Sequence, residues 1–318
     1  MKKDLISIAD VSKDDINQIF KWAAIFKRGK RRGFNRLLAG KSLGMIFEKP
    51  SSRTRISFEV AMHQMGGYVI YLGEDQTQLG KRESVADVAR TASRYLDGVV
   101  LRTFSHQGIL EFAKFASIPV INGLSDCCHP CQVLADIFTF IEKRGKFSDK
   151  AGFGLKGKKV TFLGDGNNVA CSWVWGAAKI GLNLILSSPS QYQIDGSLIS
   201  RANKIARENG GFIELESNPE KAVRSADLIY TDVWASMGQE EEKEKRREIF
   251  SPYQVNDKLV SLANSESLVM HCLPAHRGEE ITDSVIDGKQ SVVWDEAENR
   301  LHVQKAVLYL LLKEIQSP

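Results

Sequence analysis

Short apolar runs alternate along this chain with longer stretches whose apolar positions recur every three or four residues. The pattern predicts strands alternating with helices, and hence parallel sheets built from βαβ units. In the first half the predicted strands are Leu43 to Phe47, Tyr68 to Leu72, Val99 to Arg102 and Ile118 to Asn122. The spacing of Val133, Ile137 and Ile141 then predicts a helix from Gln132 to Arg144, followed by Gly-, Lys- and Asp-rich sequence through Lys159. A second series of predicted strands follows: Val160 to Leu163, Leu182 to Ser187, Phe212 to Leu215, Leu228 to Thr231, Leu268 to His271 and Val292 to Trp294. The expected architecture is therefore α/β, with two doubly wound domains, 1–145 and 146–300, each around a mainly parallel sheet. An apolar helix is predicted from Val303 through Ile315.

The totals suit that picture. The 318 residues are enough for two domains, and 43% apolar with 26% charged residues is the composition of a globular protein. A net charge of +4 is mild, and the basic run Lys27 to Arg32 has no interleaved aromatic residues, so no nucleic-acid surface is expected. The run Lys243 to Arg247 follows Glu240 to Glu242, which cancel it locally. No window has the roughly twenty apolar residues of a membrane span. Leu5 to Ala9 is too short for the apolar core of a signal peptide, and the early acids Asp10, Asp14 and Asp15 disfavour a transit peptide, so a cytoplasmic location is expected. Five cysteines, an odd number, suit reduced thiols. Three of them bunch at Cys127, Cys128 and Cys131 around His129 and invite a zinc reading, but no second Cys or His pair follows at ligand spacing, so no metal is expected.

Chemistry concentrates in Phe47-Glu48-Lys49-Pro50-Ser51-Ser52-Arg53-Thr54-Arg55, which lies between a predicted strand and a helix carrying Phe58, Met62 and Met65. Ser51 and Ser52 fall at the helix N-terminus, where free N–H groups and the positive dipole end favour an anion, and Arg53 and Arg55 add forked cationic donors suited to phosphate. The plainer alternative is a capped helix with solvated arginines. Arg102 ends an apolar strand, where a cation needs an anion, either ligand or structural carboxylate. His129 and Gln132 share one loop whose direction Pro130 presets. Gly164-Asp165-Gly166-Asn167-Asn168-Val169 begins like a dinucleotide fingerprint but lacks its third glycine and the later acid, so NAD is not expected. Each of these motifs follows the carboxyl end of a strand, where open α/β sheets bind ligands, and this bias supports a single active site between the domains.

The turn S-x-R-T-R resembles the carbamoyl-phosphate loop of the aspartate and ornithine transcarbamylases. His129-Pro130-Cys131-Gln132 extends the likeness, and Asp232-Val233-Trp234-Ala235-Ser236-Met237-Gly238 and His271-Cys272-Leu273-Pro274 are similar to the ornithine branch in particular. Ser52 stands where the family usually has threonine. The resemblance implies transfer of a carbamoyl group from carbamoyl phosphate to the δ-amine of L-ornithine without metal or organic cofactor, in a homotrimer whose subunits complete each other's sites. It further implies that Ser51, Ser52, Arg53, Thr54, Arg55, Gln78, Arg102, His129, Gln132, Cys272, Leu273 and Arg300 bind carbamoyl phosphate, with Arg102, His129 and Cys272 catalytic. Asn168, Asp232, Ser236 and Met237 would hold ornithine, although Asn168 also suits a helix cap. The terminal helix, 301–318, would return to brace the first domain. Transfer to aspartate or putrescine, and a non-catalytic binding protein on the same scaffold, are the competing readings. The first lacks an explanation for the S-M-G loop, the second offers no α-carboxylate or α-ammonium to hold, and the third would be expected to have lost some of these residues.

Overall fold

The computed structural model describes residues 3–29, 33–77, 79–80, 83–147, 152–235 and 242–313. They fall into two compact units, one running to Ala135 and resuming at Glu298, the other Asp136–Ala297. Both crossings lie inside helices, Pro130–Arg144 and Val293–Leu312. A boundary within a continuous helix leaves no compositional trace.

The first unit holds a parallel four-stranded sheet in the order β2-β1-β3-β4, from β1 (Ser42–Phe47), β2 (Tyr68–Leu72), β3 (Gly98–Arg102) and β4 (Val120–Leu124). Every residue of β3 is buried, as expected of a strand covered on both faces. Ile46, Val99 and Leu101 pack with Ile109 and Phe112 of the helix His106–Phe115. The expected strand Ile118 to Asn122 begins instead at Val120, because Pro119 has no N–H to give the ladder; its carbonyl accepts from Val99 N at 2.9 Å. The terminal helix belongs to this unit from Glu298 onward: Tyr309 lies 4.4 Å, ring to ring, from Trp22, and Lys27 Nζ donates to Asn299 Oδ1 at 2.8 Å.

In the second unit β5 (Lys159–Leu163), β6 (Asn183–Ser187), β7 (Phe212–Leu215), β8 (Leu228–Thr231) and β9 (Leu268–His271) form a parallel sheet in the order β7-β6-β5-β8-β9. Phe162 and Tyr230 stack at 5.4 Å on neighbouring strands, with Trp173 edge-on to Tyr230 at 5.3 Å. The expected strand Val292 to Trp294 does not form. Ser291 bridges Val269 and Val292 N donates to Val269 O at 3.0 Å, but the helix starts at Val293 with Asp295 and Glu296 in its first turn, where acids suit the positive dipole end.

Both strand orders reverse direction once, between β1 and β3 in one unit and between β5 and β8 in the other. Crevices beyond such switch points are where doubly wound sheets take ligands.

Candidate active site

At the first switch point, Glu48 N donates to Arg102 O at 2.8 Å, which holds the loop after β1 beside the end of β3. The chain then enters the helix Ser52–Gln64 through Ser51, which has extended φ and ψ and accepts from Thr54 N at 3.3 Å while its hydroxyl donates to Thr54 Oγ1 at 3.1 Å. A cap of this kind contributes about 1 kcal/mol to the helix start. Thr54 is buried, and its Oγ1 also accepts from Arg300 Nη2 at 3.1 Å; Arg300 Nη1 donates to Gln132 Oε1. Thus residues from three distant segments form one chain of hydrogen bonds, Ser51–Thr54–Arg300–Gln132.

His129 ends the loop after β4, where its carbonyl accepts from Gln132 N at 3.1 Å and opens the helix Pro130–Arg144. Pro130, lacking an N–H, sits in the first turn, where that donor has no helical partner anyway. Burial, reinforced by the positive charges of Arg300 and Arg102, holds the His129 imidazole well below the usual histidine range. It is therefore a neutral hydrogen-bonding group at neutral pH. Arg102 and Lys49 are buried as well, with Lys49 Nζ 3.9 Å above the Phe104 ring; Lys49 lies in the quoted motif, yet nothing in the sequence marked it as a buried cation. Ser52 is exposed and Arg53 half-buried. Arg55 faces outward, its Nε 2.9 Å from Glu59 Oε1 and its guanidinium 3.8 Å from the Tyr71 ring. Gln78 lies outside the described residues.

The second switch point is built on a tight turn. Gly164 has φ +125°, and a Cβ on Gly166 would meet Tyr192 O at 2.6 Å, so neither position readily takes a side chain. Asn167, not Asn168, caps the helix Asn168–Ile180: its Oδ1 accepts from Val169 N at 2.9 Å and Ala170 N at 3.1 Å, while its Nδ2 donates to Asp232 Oδ2 at 2.7 Å. Asn168 is the first helical residue, with its carbonyl accepting from Ser172 Oγ at 2.8 Å. Asp232, buried just beyond β8, takes Val233 N at 2.8 Å and the Cys272 thiol at 2.9 Å on Oδ1. Ser236 and Met237 lie outside the described residues.

Two further groups brace this half. Buried Arg246 donates to Asp165 Oδ2 at 3.0 Å and to Trp234 O at 2.9 Å, tying the loop after β5 to the loop after β8. Burial raises the Asp165 carboxyl against the lowering effect of Arg246. The sequence concealed Arg246 within a run whose charge reads as cancelled by neighbouring acids. Glu296 accepts His271 N at 3.0 Å and the Tyr230 hydroxyl at 3.4 Å, fixing the end of β9.

Burial first, then the Asp232 charge and its hydrogen bond, push the Cys272 thiol well above its ordinary range, so sulfur stays S–H and donates. His271 turns elsewhere: Nδ1 accepts from Leu273 N at 2.9 Å, which leaves Nε2–H to donate to Glu280 Oε1 at 2.9 Å. A thiolate–imidazole nucleophile does not form. Asp232, His271 and Cys272 have ligand atoms within 4.8 Å of one another, but both His271 nitrogens are already engaged, so they make a poor metal site. Leu273 takes φ +55°, a left-handed conformation uncommon for a leucine, and its half-buried side chain packs against the core of this unit.

Residues 3–142 match the carbamoyl-P binding domain of the aspartate/ornithine carbamoyltransferases, and residues 156–311 match the Asp/Orn binding domain of the same family. The chain is 52% identical over 313 residues to an ornithine carbamoyltransferase of Syntrophus aciditrophicus, covering 98% of this chain and 100% of that protein. To its counterpart from Pyrococcus horikoshii it is 51% identical over 316 residues, covering 99% and 97%. Among solved structures, ornithine carbamoyltransferase from Pyrococcus furiosus superposes with a TM-score of 0.92 at 51% identity, covering 97% of this chain and 96% of that one. The anabolic enzyme from Campylobacter jejuni gives 0.89 at 36% identity, covering 97% and 98%.

Proposed function

We propose a residue-level reading from one premise: this chain belongs to the aspartate/ornithine carbamoyltransferase family. It is a carbamoyl-group transferase that moves the carbamoyl group of carbamoyl phosphate to the δ-amine of L-ornithine, giving L-citrulline and phosphate. One observation carries the assignment of roles: the positive charges of Arg300 and Arg102 act on a buried, neutral His129, and Arg300 is bonded to Thr54 and Gln132.

The reaction needs positive charge in two places. As the amine adds to the carbamoyl carbon, charge grows on the carbonyl oxygen, where Arg102, His129 and the Thr54 hydroxyl stabilise it. As the C–O bond breaks, charge passes to phosphate, which Ser51, Ser52, Arg53, Thr54 and Arg55 receive at the helix N-terminus. A neutral His129 adds a hydrogen bond and no third charge, which suits polarisation without protonation. Arg300 and Gln132 hold the carbamoyl end in register.

The nucleophile has to be the free amine. An alkyl-ammonium pKa near 10.4 lies about 3.4 units above pH 7, a cost of roughly 4.6 kcal/mol. Asp232 takes the α-ammonium, Asn168 the α-carboxylate, and Ser236 and Met237 complete the amino-acid site. Cys272, kept protonated, lies against Asp232 as a neutral contact and forms no covalent intermediate. Leu273 supplies a backbone contact. Ionised Asp232 has lone pairs beyond the three donors it already accepts.

The finer features belong to the same reading. Synthesis of citrulline for arginine is the direction proposed, supported by a 50% identical Pyrococcus furiosus relative described as anabolic. A cytoplasmic location is supported by five free thiols, and no described helix is long and apolar enough to cross a membrane. The assembly is a homotrimer in which Gln78 serves a neighbouring subunit. Mixing inactive Gln78→Ala with inactive Arg102→Ala chains then restores part of the activity; dead hybrids after confirmed exchange exclude it.

Kinetics with ornithine, putrescine and aspartate at fixed carbamoyl phosphate test the reading as a whole. Ornithine is expected to give by far the highest kcat/KM, and a preference for either rival overturns the acceptor assignment.

A further inference from the structure

On the outer side of the His129 loop, the chain gathers a second group of chemically capable side chains. His106, Cys127 and Cys128 offer an imidazole nitrogen and two sulfurs within 4.8 Å of one another. The bunched cysteines invite a zinc reading with His129, but folding supplies a different imidazole, that of His106, which lies 22 positions before Cys128. It opens the helix His106–Phe115, and Asp126 Oδ1 fixes its backbone N–H at 2.9 Å. His106 Nδ1 is 3.9 Å from Cys128 Sγ and shares a hydrogen bond with Ser125 Oγ at 2.9 Å, which a cation would replace while Nε2 keeps its proton.

These separations are close to those of a tetrahedral cation site. Bonds of about 2.3 Å to sulfur and about 2.0–2.1 Å to nitrogen imply ligand-to-ligand edges of about 3.6 Å for N···S and about 3.8 Å for S···S. The observed N···S separation needs to contract by only a few tenths of an ångström.

The surroundings suit a cation as well. Wholly buried Asn122 donates from Nδ2 to Cys128 Sγ at 3.3 Å, the kind of N–H···S bond that supports a coordinated thiolate. The carboxylates of Asp10 and Asp126 both act on the His106 ring, so the local charge is negative. Cys127 is exposed and lies against buried Cys128, so a cation held by both sulfurs is reached from solvent.

We propose that His106, Cys127 and Cys128 form a site for one thiophilic divalent cation of the zinc class, three protein ligands with the fourth position open to solvent beside exposed Cys127. Binding displaces the thiol protons to solvent and leaves both sulfurs as thiolates bonded to the metal. The site is separate from Asp232 and Cys272, and because Cys128 is bonded directly to His129, its occupancy bears on the loop that carries the catalytic imidazole.

Equilibrium dialysis of the reduced full-length protein against Zn²⁺, with Co²⁺ as an optical probe, tests this. One equivalent is expected to bind per chain, and the cobalt form should show a thiolate charge-transfer band. Cys127→Ser and His106→Gln, at exposed and half-buried positions that tolerate polar replacement, should each weaken zinc binding about a hundredfold, and Cys127→Ser should reduce the band. Thermal melts of the metal-free variants confirm that they fold. Cys272→Ser should bind zinc as tightly as the parent. The proposal fails if no zinc is retained, if Cys127→Ser and His106→Gln bind like the parent, or if Cys272→Ser alone abolishes binding.

Discussion

The two units bury charge of opposite sign. Among the described residues, the first buries Lys49, Arg102, Arg300 and Lys305 and no carboxylate, whereas the second buries Asp136, Asp232, Glu280 and Glu296, with Arg246 its one buried cation apart from any histidine. Burying an ion costs several kcal/mol unless partners compensate. Arg246 is compensated internally by the opposite charge of Asp165, whereas Glu280 and Glu296 are held by neutral donors, the His271 ring and a backbone N–H with a phenol. Arg300 donates to Thr54 and Gln132, and Asp232 accepts from a thiol, an amide and a backbone N–H. A neutral donor or acceptor solvates a charge but does not cancel it. The difference teaches which ligand each unit is built for: a phosphate-bearing anion completes the cationic half, and the ammonium end of an amino acid completes the carboxylate half.

Removing one charge from either side is the direct way to break this correspondence, and the cationic side should suffer most. Arg102→Gln keeps a donor at the end of β3 but loses the charge that the proposed mechanism directs to the carbonyl oxygen. It should lower kcat about a thousandfold, about 4 kcal/mol of transition-state stabilisation, in steady-state assays. On the other side, Asp232→Asn preserves shape. It should lower kcat/KM for ornithine about a hundredfold, about 2.7 kcal/mol, and leave carbamoyl phosphate affinity by calorimetry unchanged. If each variant impairs both ligands equally, the division of labour is wrong. Arg53→Ala tests the margin of the phosphate clamp. Loss of a charge-assisted bond of about 1.5 kcal/mol should weaken carbamoyl phosphate binding at least about tenfold, and unchanged affinity would remove Arg53 from the clamp.

How much of this was legible in the sequence depended on whether the cue was local. Strands such as Tyr68 to Leu72 and Leu228 to Thr231 are continuous apolar runs, and their bounds are readable directly. Val292 to Trp294 looks the same over three residues, but the acids that follow make it the start of a helix, so a short run alone misleads. At the site, the turn Ser51 to Arg55 announces itself through hydroxyls and arginines in sequence. The Arg300 bonds to Thr54 and Gln132 span 246 and 168 positions, and no periodicity reports them. The distinction between Asn167 as cap and Asn168 as first helical residue is a single step of register, below what side-chain type can decide. Arg246 and Glu296 were missed because a brace is defined by what it reaches, Asp165 and Trp234 or His271 and Tyr230, and not by its neighbours in the chain.

The smallest expected effect sharpens the comparison through pH. His129 sits among the cations of the first unit, and burial with Arg300 and Arg102 keeps its pKa well below the ordinary value of 6.5. A histidine whose folded pKa is depressed takes up its proton more readily when unfolded. Its neutral form therefore adds nothing extra above the unfolded pKa, and stability falls as pH drops from about 6.5 toward the folded value, with a slope of at most about 1.4 kcal/mol per pH unit for this one group. His129→Gln retains a polar side chain without a titrating ring and should flatten that part of the profile in urea titrations between pH 7 and pH 5. Carbamoyl phosphate binding should flatten the parent's dependence in the same window, because an anion offsets the positive charges of Arg300 and Arg102 that hold the imidazole neutral. A parent protein whose stability is level across that window, or a His129→Gln profile as steep as the parent's, would show that the imidazole titrates normally and that the cationic half does not suppress its charge.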